Sequence, residues 1–156
     1  MKHRIRSAGL IIQDGKILLV KHRASNSETD FWWVPPGGGV EAEDDSIFAC
    51  AAREIFEETG LTATLSRIAY IREFYDSIFD IRHCEFFLPV DSFSGTPSLD
   101  HLPPSSPDSD LVTELRWFTQ SELNEITLYP EELRTLFWSD LQTNFSTIRY
   151  LGLQKR

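Results

Sequence analysis

Residues 53–60 of the chain read Arg53-Glu54-Ile55-Phe56-Glu57-Glu58-Thr59-Gly60. If this stretch is helical, the i, i+3 and i+4 spacing of Glu54, Glu57 and Glu58 places three carboxylates on one face within about one turn. Like charges at this spacing repel, at a cost of about 0.2–0.5 kcal/mol per pair on an exposed helix. A solvated helix face can carry such residues. However, Mg²⁺ prefers oxygen ligands and bridges carboxylates to phosphates, so the cluster indicates metal-dependent phosphate chemistry.

The sequence around these glutamates predicts an amphipathic helix with defined ends. Asp44, Asp45 and Ser46 suit the N-cap, and Gly60 suits the position just after the last turn. At about 100° per residue, the side away from the glutamates carries four apolar residues: Phe48, Ala52, Ile55 and Phe56. The pattern therefore predicts one packed face and one acidic face. The preceding run 35–39, Pro-Pro-Gly-Gly-Gly, is not expected in a regular element, and its glycines allow a ligand to approach the backbone closely.

These residues fit one continuous pattern. From Gly39 to Leu61 the chain resembles the Nudix box, G-x5-E-x7-R-E-U-x-E-E-x-G-U, where U is an apolar residue. Every fixed position agrees in spacing over 23 residues, and one differs in type, because Asp45 stands where the family usually has Glu. The shorter Asp45 is expected to cap the helix, or to pair with Arg53 if the backbone adapts. The chain is similar to the Nudix hydrolases on this evidence.

The resemblance implies a fold and a domain organisation. We expect an α/β protein, a Nudix-type α/β/α sandwich with a mixed β-sheet between helices and the box beside it as a loop–helix–loop. A length of 156 residues with 41% hydrophobic residues suits one domain with a substantial core. We therefore predict a single Nudix hydrolase domain over residues 1–156.

The rest of the sequence predicts the strands of this sheet and short C-terminal helices. Candidate strands cover residues 5–13, 16–22, 31–34, 62–75, 81–90 and 111–118. Asp14-Gly15 between the first two is a hairpin signal. Residues 92–110 are rich in proline and serine and are predicted to form a long loop. Helices are expected at 121–124 and from Pro130 at an N1 position. The second carries a predicted apolar stripe: Leu133, Leu136, Phe137 and Leu141.

The resemblance also implies a reaction and its residues. We expect Mg-dependent hydrolysis of a pyrophosphate bond, with Mn²⁺ as a substitute metal. The metal ligands would be Glu54, Glu57 and Glu58, completed by a backbone carbonyl of Gly38 or Gly39. Arg53 would orient the glutamates through ion pairs. Glu54 is the first candidate for the general base, which must reach the attacking water at hydrogen-bond distance. Three downstream acids stay open for that role: Asp108, Asp110 and Glu114.

The expected substrate is a small nucleotide: a nucleoside diphosphate linked to another moiety, or a nucleoside triphosphate. Aromatic rings stack on nucleobases of any identity, and the aromatic run 31–33 offers such rings, with Trp33 as the predicted contact. Arginine forks match phosphate oxygens, which makes Arg23 and Arg72 candidate substrate ligands, with Arg82 as a further one. Which nucleotide is bound is left open.

Two alternatives come from other classes. A catalytically silent Nudix-fold ligand sensor usually lacks one of the box glutamates, whereas this chain keeps all three. The isomerase branch of the fold acts on isopentenyl diphosphate through a cysteine. Its cysteine would have to be Cys84 here, and its box is degraded, whereas this one is intact.

Composition limits the partners. A net charge of −9 and a pI near 4.8 argue against a protein that grips long nucleic acid by its phosphates. Apolar runs stay far below the roughly 20 residues that span a bilayer, so we expect no membrane partner. Two isolated cysteines, Cys50 and Cys84, suggest neither a disulfide framework nor a zinc site. A reducing cytoplasm is the expected location, and a homodimer is left open.

Overall fold

The computed structural model describes residues 1–104 and 111–155, which contain β-strands, two α-helices and two 3₁₀-helices. The strands are β1 Lys2–Leu10, β2 Ile12–Gln13, β3 Lys16–Arg23, β4 Phe31–Val34, β5 Gly37–Gly39, β6 Thr62–Leu65, β7 Tyr70–Asp76, β8 Ile81–Ser94, β9 Val112–Phe118 and β10 Arg149–Lys155. The α-helices are α1 Ile47–Thr59 and α2 Leu136–Gln142, and two 3₁₀-helices cover Ser121–Glu125 and Glu131–Arg134.

The strands form two sheets instead of the one that the sequence predicted. The first has the order β10-β7-β8-β1-β5, with β6 also pairing β8, and it is mixed because β1 runs parallel to β8 and β10 runs parallel to β7. The second is antiparallel and joins β2, β4 and β9 to β3. Helix α1 packs on β1, β5 and β6. The predicted α/β fold with a mixed sheet is confirmed.

Strand β3 contributes to two hydrophobic cores. Ile17 and Leu19 belong to the larger core, which also contains Tyr70, Phe118 and Phe137. Leu18 points the other way, into the core beneath helix α1 with Ile55 and Leu61. Successive strand residues face opposite sides of a sheet, so the continuous apolar run of β3 is buried on both faces. No helix among residues 1–104 and 111–155 has the length and apolar character needed to cross a bilayer.

The predicted hairpin turn and the predicted ends of helix α1 are confirmed. Asp14 and Gly15 both have positive φ, at 52° and 72°, as a two-residue hairpin turn of type I′ requires. The Ser46 hydroxyl caps the helix by accepting a hydrogen bond from the Ala49 N–H at 3.1 Å. At the other end, Gly60 adopts the left-handed conformation, with φ of 74°, and donates to the Phe56 carbonyl.

The predicted faces of helix α1 are right for Ile55, which is buried, and wrong for Phe56 and for two of the glutamates. Its buried residues are Cys50, Ala51, Glu54, Ile55, Glu58 and Thr59. Phe56 is 43% exposed and lies against the His101 ring at 4.7 Å instead of in the core. The stripe at i, i+4 and i+8 that faces the sheet contains two of the three glutamates, so the acidic side is turned inward.

The predicted strand 62–75 is divided into two strands, β6 and β7, which pair with different parts of β8. Strand β6 pairs with the end of β8, from Thr62 opposite Ser94 to Leu65 opposite Val90. Strand β7 pairs with its beginning, from Tyr70 opposite Phe87 to Asp76 opposite Ile81. Residues 66–69 carry the chain from one partner segment to the other. Strand β8 therefore extends to Ser94, and the predicted loop begins later than residue 92.

The glycine run and the C-terminus also differ from the predictions. Gly37–Gly39 form strand β5 on β1, where a Cβ at Gly37 would overlap the Ser7 carbonyl, so glycine allows the close pairing. Strand β10 was not predicted. Pro130 precedes a 3₁₀-helix as its cap instead of occupying N1, and helix α2 starts only at Leu136. Of the predicted stripe, Leu133 and Phe137 are buried, while Leu136 and Leu141 are partly buried.

A buried carboxylate fastens strand β10 to the domain. Asp140 accepts a hydrogen bond from the Tyr70 hydroxyl at 2.7 Å and two from Arg149, from Nε at 2.9 Å and from Nη2 at 2.8 Å. The Arg149 hydrogen bond holds the pKa of Asp140 below its ordinary value. This pair joins the end of helix α2 to the first residue of β10.

We predict that Asp140→Ala lowers the free energy of unfolding by about 2 kcal/mol, because it leaves the buried Tyr70 hydroxyl without its acceptor and Arg149 without its counter-ion. Tyr70→Phe removes one hydrogen bond and should cost about 1 kcal/mol. Urea denaturation at pH 7 measures both. The matched control is Ser139→Ala, an exposed neighbour on the same helix. Equal effects of Asp140→Ala and Ser139→Ala would contradict the prediction.

Candidate active site

The three glutamates of helix α1 lie in different environments. Glu54 is 7% exposed and Glu58 is 1% exposed, whereas Glu57 is partly exposed. The Glu54 carboxylate lies against strand β5, where a Cβ at Gly38 would overlap its oxygens. Glycine at position 38 therefore makes room for the carboxylate, and the helix and the glycine strand fit together only with this pair of residues.

Arg53 connects the parts of the site. Its Nη1 donates to Glu54 Oε1 at 2.9 Å and contacts Glu57 Oε2 at 3.5 Å. Its Nη2 donates to the Gly39 carbonyl at 3.2 Å. It also forms a two-pronged pair with Asp44, from Nε to Oδ1 at 2.9 Å and from Nη2 to Oδ2 at 2.8 Å. We call Asp44, Glu54, Glu57 and Glu58 the carboxylate cluster, to which Arg53 contributes one positive charge.

The arginine partner is Asp44 and not Asp45, the residue that occupies the Glu position of the box. The Asp44 side chain is 5% exposed, while Asp45 is exposed. Asp44 Oδ2 also accepts the Glu41 N–H at 2.8 Å, which fixes the turn before the helix. The hydrogen bonds from Arg53 lower the pKa of Asp44 to about 2, and they raise the pKa of Arg53 in return. Spacing alone could not separate two adjacent aspartates.

The donor atoms of the cluster suit a hard divalent cation. All are carboxylate oxygens, which Mg²⁺ and Mn²⁺ accept as ligands, and one arginine leaves the four carboxylates with a net negative charge. Among residues 1–104 and 111–155, no three His, Cys, Asp or Glu side chains already converge as a metal centre. Arg53 instead contacts both Glu54 and Glu57. The predicted ligands are thus close in space, although they are not arranged around one point.

A cavity of about 750 Å³ lies between the first sheet and the region of β3 and β4, with Gly37 and Gly38 in its wall. The carboxylate cluster is not part of this wall and lies behind Gly38. Its cationic side chains are Arg4, Arg6, Arg23, Arg72 and Lys155. Its aromatic side chains include Phe31, Trp32, Phe74, Phe79, Phe87 and Tyr129. Three carboxylates also line it: Asp30, Asp76 and Glu85. Five cations against three anions leave a formal excess of two positive charges for an anion, and the rings suit a planar or apolar group.

Two of the three predicted substrate contacts line this cavity. Arg23 lies in its wall, and so does Arg72, which donates from Nε to Glu85 Oε2 at 2.8 Å. Trp33 does not, because it is buried against Phe118 with the ring centres 4.8 Å apart. Since neighbouring strand residues face opposite sides, Trp32 is turned to the cavity instead. Trp32 replaces Trp33 as the candidate stacking residue.

Other predicted residues lie elsewhere. Glu114 is exposed on β9, 3.7 Å from the Lys21 ammonium, and is not part of the cavity wall. Asp108 and Asp110 lie outside the described residues. Arg82 pairs with Glu73 at 3.8 Å, away from the cavity. Cys84 does not line the cavity either, and burial raises the pKa of its thiol, which disfavours the thiolate that an isomerase mechanism needs.

The polar wall formed by β1 and β8 was not predicted from the sequence. Arg4 and Arg6 come from β1, and His83 and Glu85 come from β8, in register with them. A signal was available, because polar residues alternate with Ile5 on one strand and with Cys84 and Phe86 on the other. That the two strands are neighbours could not be read from their separation in the chain.

We predict that Asp44→Asn lowers the free energy of unfolding at pH 7 by about 2 kcal/mol, from the difference between the ordinary pKa of 3.8 and the value of about 2 in the fold. Because the pKa is depressed by folding, this stabilisation is complete above about pH 5 and is lost as the pH falls toward 2. Urea denaturation between pH 7 and pH 3 measures it.

Asp45→Asn is the matched control and should change the free energy of unfolding by less than about 0.5 kcal/mol, because Asp45 is exposed. An equal loss in both variants would contradict the assignment of Asp44, and so would a deficit in Asp44→Asn that does not shrink on acidification.

Sequence comparison relates the chain to known proteins. The model of the NUDIX domain matches residues 3–138. Diphosphoinositol polyphosphate phosphohydrolase 2 of Rattus norvegicus is 42% identical over 64 residues, which cover 41% of this chain and 33% of that protein. Nucleoside diphosphate-linked moiety X motif 6 of Xenopus laevis is 33% identical over 73 residues, which cover 46% of this chain and 32% of that protein. The chain spans about a third of the length of these curated relatives.

Structural comparison agrees with the sequence match. The solution structure of the E. coli ORF135 protein has a TM-score of 0.70 and 24% identity, covering 94% of this chain and 96% of that one. This likeness shows the fold. The matched residues 3–138 include the whole carboxylate cluster and most of the chain. The family predicted from the box is therefore confirmed, and the chain belongs to the Nudix hydrolase family.

Proposed function

We propose that the chain hydrolyses a pyrophosphate bond in a nucleoside diphosphate linked to another moiety, or in a nucleoside triphosphate, with Mg²⁺ as the cofactor and Mn²⁺ as a substitute. The observation that carries this proposal is the carboxylate cluster around Arg53, placed behind Gly38 at the wall of a cationic and aromatic cavity. The cluster supplies oxygen ligands for a metal, and the cavity supplies contacts for a phosphorylated substrate.

The metal would be held by Glu54, Glu57 and Glu58, with a backbone carbonyl of Gly38 or Gly39 beside them. A bound divalent cation lowers the pKa of a coordinated water and neutralises charge on phosphate oxygens. Arg53 keeps Glu54 and Glu57 close together while leaving the cluster with a net negative charge. The Gly39 carbonyl also accepts from Arg53, so the same guanidinium positions both kinds of ligand.

The chain's own groups would perform the remaining tasks. Glu54 is the proposed general base and would take the proton of the attacking water, because it is the carboxylate nearest to the glycine strand in the cavity wall. Arg23 and Arg72 would hold phosphate oxygens. Trp32, which stacks on His22 with ring centres 6.1 Å apart, would carry a planar group of the substrate.

The relatives' names support two substrate classes. A nucleoside diphosphate linked to another moiety, as in the name of the Xenopus laevis protein, fits the aromatic rings of the cavity. A diphosphoinositol polyphosphate, as in the name of the Rattus norvegicus protein, is the second candidate because five cationic side chains line the same cavity.

The cysteines Cys50 and Cys84 are both free, which supports a reducing, cytoplasmic setting.

We predict that Glu57→Gln and Glu58→Gln each lower kcat about 100-fold or more. Removal of a metal ligand should cost more than the loss of about 10–100-fold that follows when a group hydrogen-bonded to a ligand is changed. Both variants should be at least as resistant to urea as the wild type, since each removes one of several like charges. Phosphate or nucleoside monophosphate release with Mg²⁺ is measured on ATP, GTP, ADP-ribose and a diphosphoinositol polyphosphate. Glu43→Gln, an exposed acid outside the cluster, is the control. Full activity in both glutamine variants would overturn the site.

We further predict that the melting temperature of the wild type rises with increasing Mg²⁺ concentration, and that EDTA reverses the rise. The shift should be much smaller in Glu58→Gln, because a ligand is missing. Differential scanning fluorimetry across a Mg²⁺ titration tests this independently of turnover. Metal binding without hydrolysis of any probe would favour the ligand-sensor alternative, while identical shifts in wild type and variant would remove Glu58 from the metal site.

A further inference from the structure

A histidine outside the carboxylate cluster lies in the wall of the cavity. His83 of strand β8 is 7% exposed, and its ring stacks on Phe74 with the centres 5.5 Å apart and the planes 19° from parallel. Its Nδ1 is sealed from solvent and has no hydrogen-bond partner among the residues that the structure describes. Burying an unsatisfied polar atom costs stability, so an apolar residue would serve the fold better at this position.

The surroundings of His83 determine its protonation. Burial lowers the pKa of its imidazole, and the charge of Arg6 on the neighbouring strand lowers it further, so the ring is neutral at pH 7. A neutral imidazole carries one N–H and one acceptor nitrogen. A proton on Nδ1 would be a buried donor without an acceptor, whereas a proton on Nε2 leaves Nδ1 as an unpaired acceptor. Buried unpaired N–H groups are the rarer of the two in native structures, so we place the proton on Nε2. Of the two ring nitrogens, Nε2 is the one left to serve the cavity.

The position of His83 in the sheet fixes which part of a substrate it can reach. Arg4 of β1 and Phe74 of β7 lie directly opposite it in the two neighbouring strands. Strand β1 separates β8 from β5, whose Gly38 faces Glu54. Two strand spacings place β8 roughly 10 Å from β5. With the diphosphate beside Gly38 and Glu54, as the proposed function places it, His83 faces the portion of a substrate beyond the diphosphate.

We propose that His83 is a specificity-determining residue, whose Nε2–H donates a hydrogen bond to an uncharged acceptor, a carbonyl oxygen, hydroxyl or ring nitrogen, on the substrate moiety remote from the diphosphate. This rests on the proposed function. Phosphate oxygens are matched by the arginines of the wall, which leaves the N–H of His83 for an uncharged part of the substrate. A site that hydrogen-bonds one polar atom discriminates strongly against analogues without it.

Three substitutions separate the two nitrogens. The amide nitrogen of His83→Gln can occupy the position of Nε2, that of His83→Asn reaches only the position of Nδ1, and His83→Leu has neither. On the best substrate of the panel ATP, GTP, CTP, UTP, ADP-ribose and a diphosphoinositol polyphosphate, His83→Gln should keep kcat/KM within about threefold. His83→Asn and His83→Leu should lose about 10-fold or more, mainly through KM, and rank the panel differently from the wild type.

Urea denaturation of the same proteins distinguishes substrate reading from a structural role. His83→Leu should be as stable as the wild type or more stable, because it removes the sealed nitrogen. Loss of kcat/KM in His83→Leu without loss of stability supports the proposal. An unchanged kcat/KM and substrate ranking in all three variants overturns it. Equal losses of kcat/KM in His83→Gln and His83→Asn also overturn it, since a donor at the Nε2 position would then make no difference to the substrate.

A binding measurement keeps this proposal separate from the proposed function. Affinities of the six panel compounds are measured in EDTA by calorimetry for the wild type and the three variants. If the wild type hydrolyses nothing, the proposed function fails, and His83 is then judged by binding alone. Weaker binding in His83→Asn and His83→Leu, but not in His83→Gln, supports it. The same affinity in all four proteins, or no binding by the wild type, overturns it.

Discussion

One guanidinium group holds the site together. Arg53 contacts a turn through Asp44, a strand through the Gly39 carbonyl and its own helix through Glu54 and Glu57. Charged groups that leave water need partners with good geometry, and an arginine fork can serve several oxygens at once. The loop before helix α1, strand β5 and the helix are therefore positioned by a shared set of hydrogen bonds. By formal charge, the four carboxylates of the cluster still outnumber the one guanidinium, which suits a site for a cation.

The charge of the whole chain and the charge of its cavity have opposite signs. The chain carries a net charge of −9, yet five cationic side chains converge on one cavity, where Arg6 and Arg72 are both paired with Glu85. An acidic exterior repels long polyanions, while a local positive wall can still accept a compact one. Under the proposed function, the occupant of this cavity is a small phosphorylated molecule. The overall composition did not indicate this local excess of positive charge.

Features that depend on neighbouring residues were predictable, and features that depend on distant strands were not. The Asp14-Gly15 turn and the ends of helix α1 at Ser46 and Gly60 follow from local backbone preferences. The box spacing likewise predicted the family. By contrast, the choice of Trp32 over Trp33 depends on which face of β4 meets the core, and the partner of Arg53 depends on the path of a turn. The division of 62–75 arises because both parts pair with one long strand, β8. The placement of His83 beside Arg4 required knowledge of a parallel pairing between segments about half the chain apart.

The close fit between Gly38 and Glu54 restricts how this protein can change over time. A side chain at position 38 would occupy the space of the carboxylate, and a smaller residue at 54 would leave a void behind the glycine strand. A substitution at one position therefore affects the other. A homologue that keeps Glu at position 54 is expected to keep Gly at position 38. A homologue with a smaller residue at position 54 can accept other residues at position 38. The two positions are therefore expected to covary among homologues.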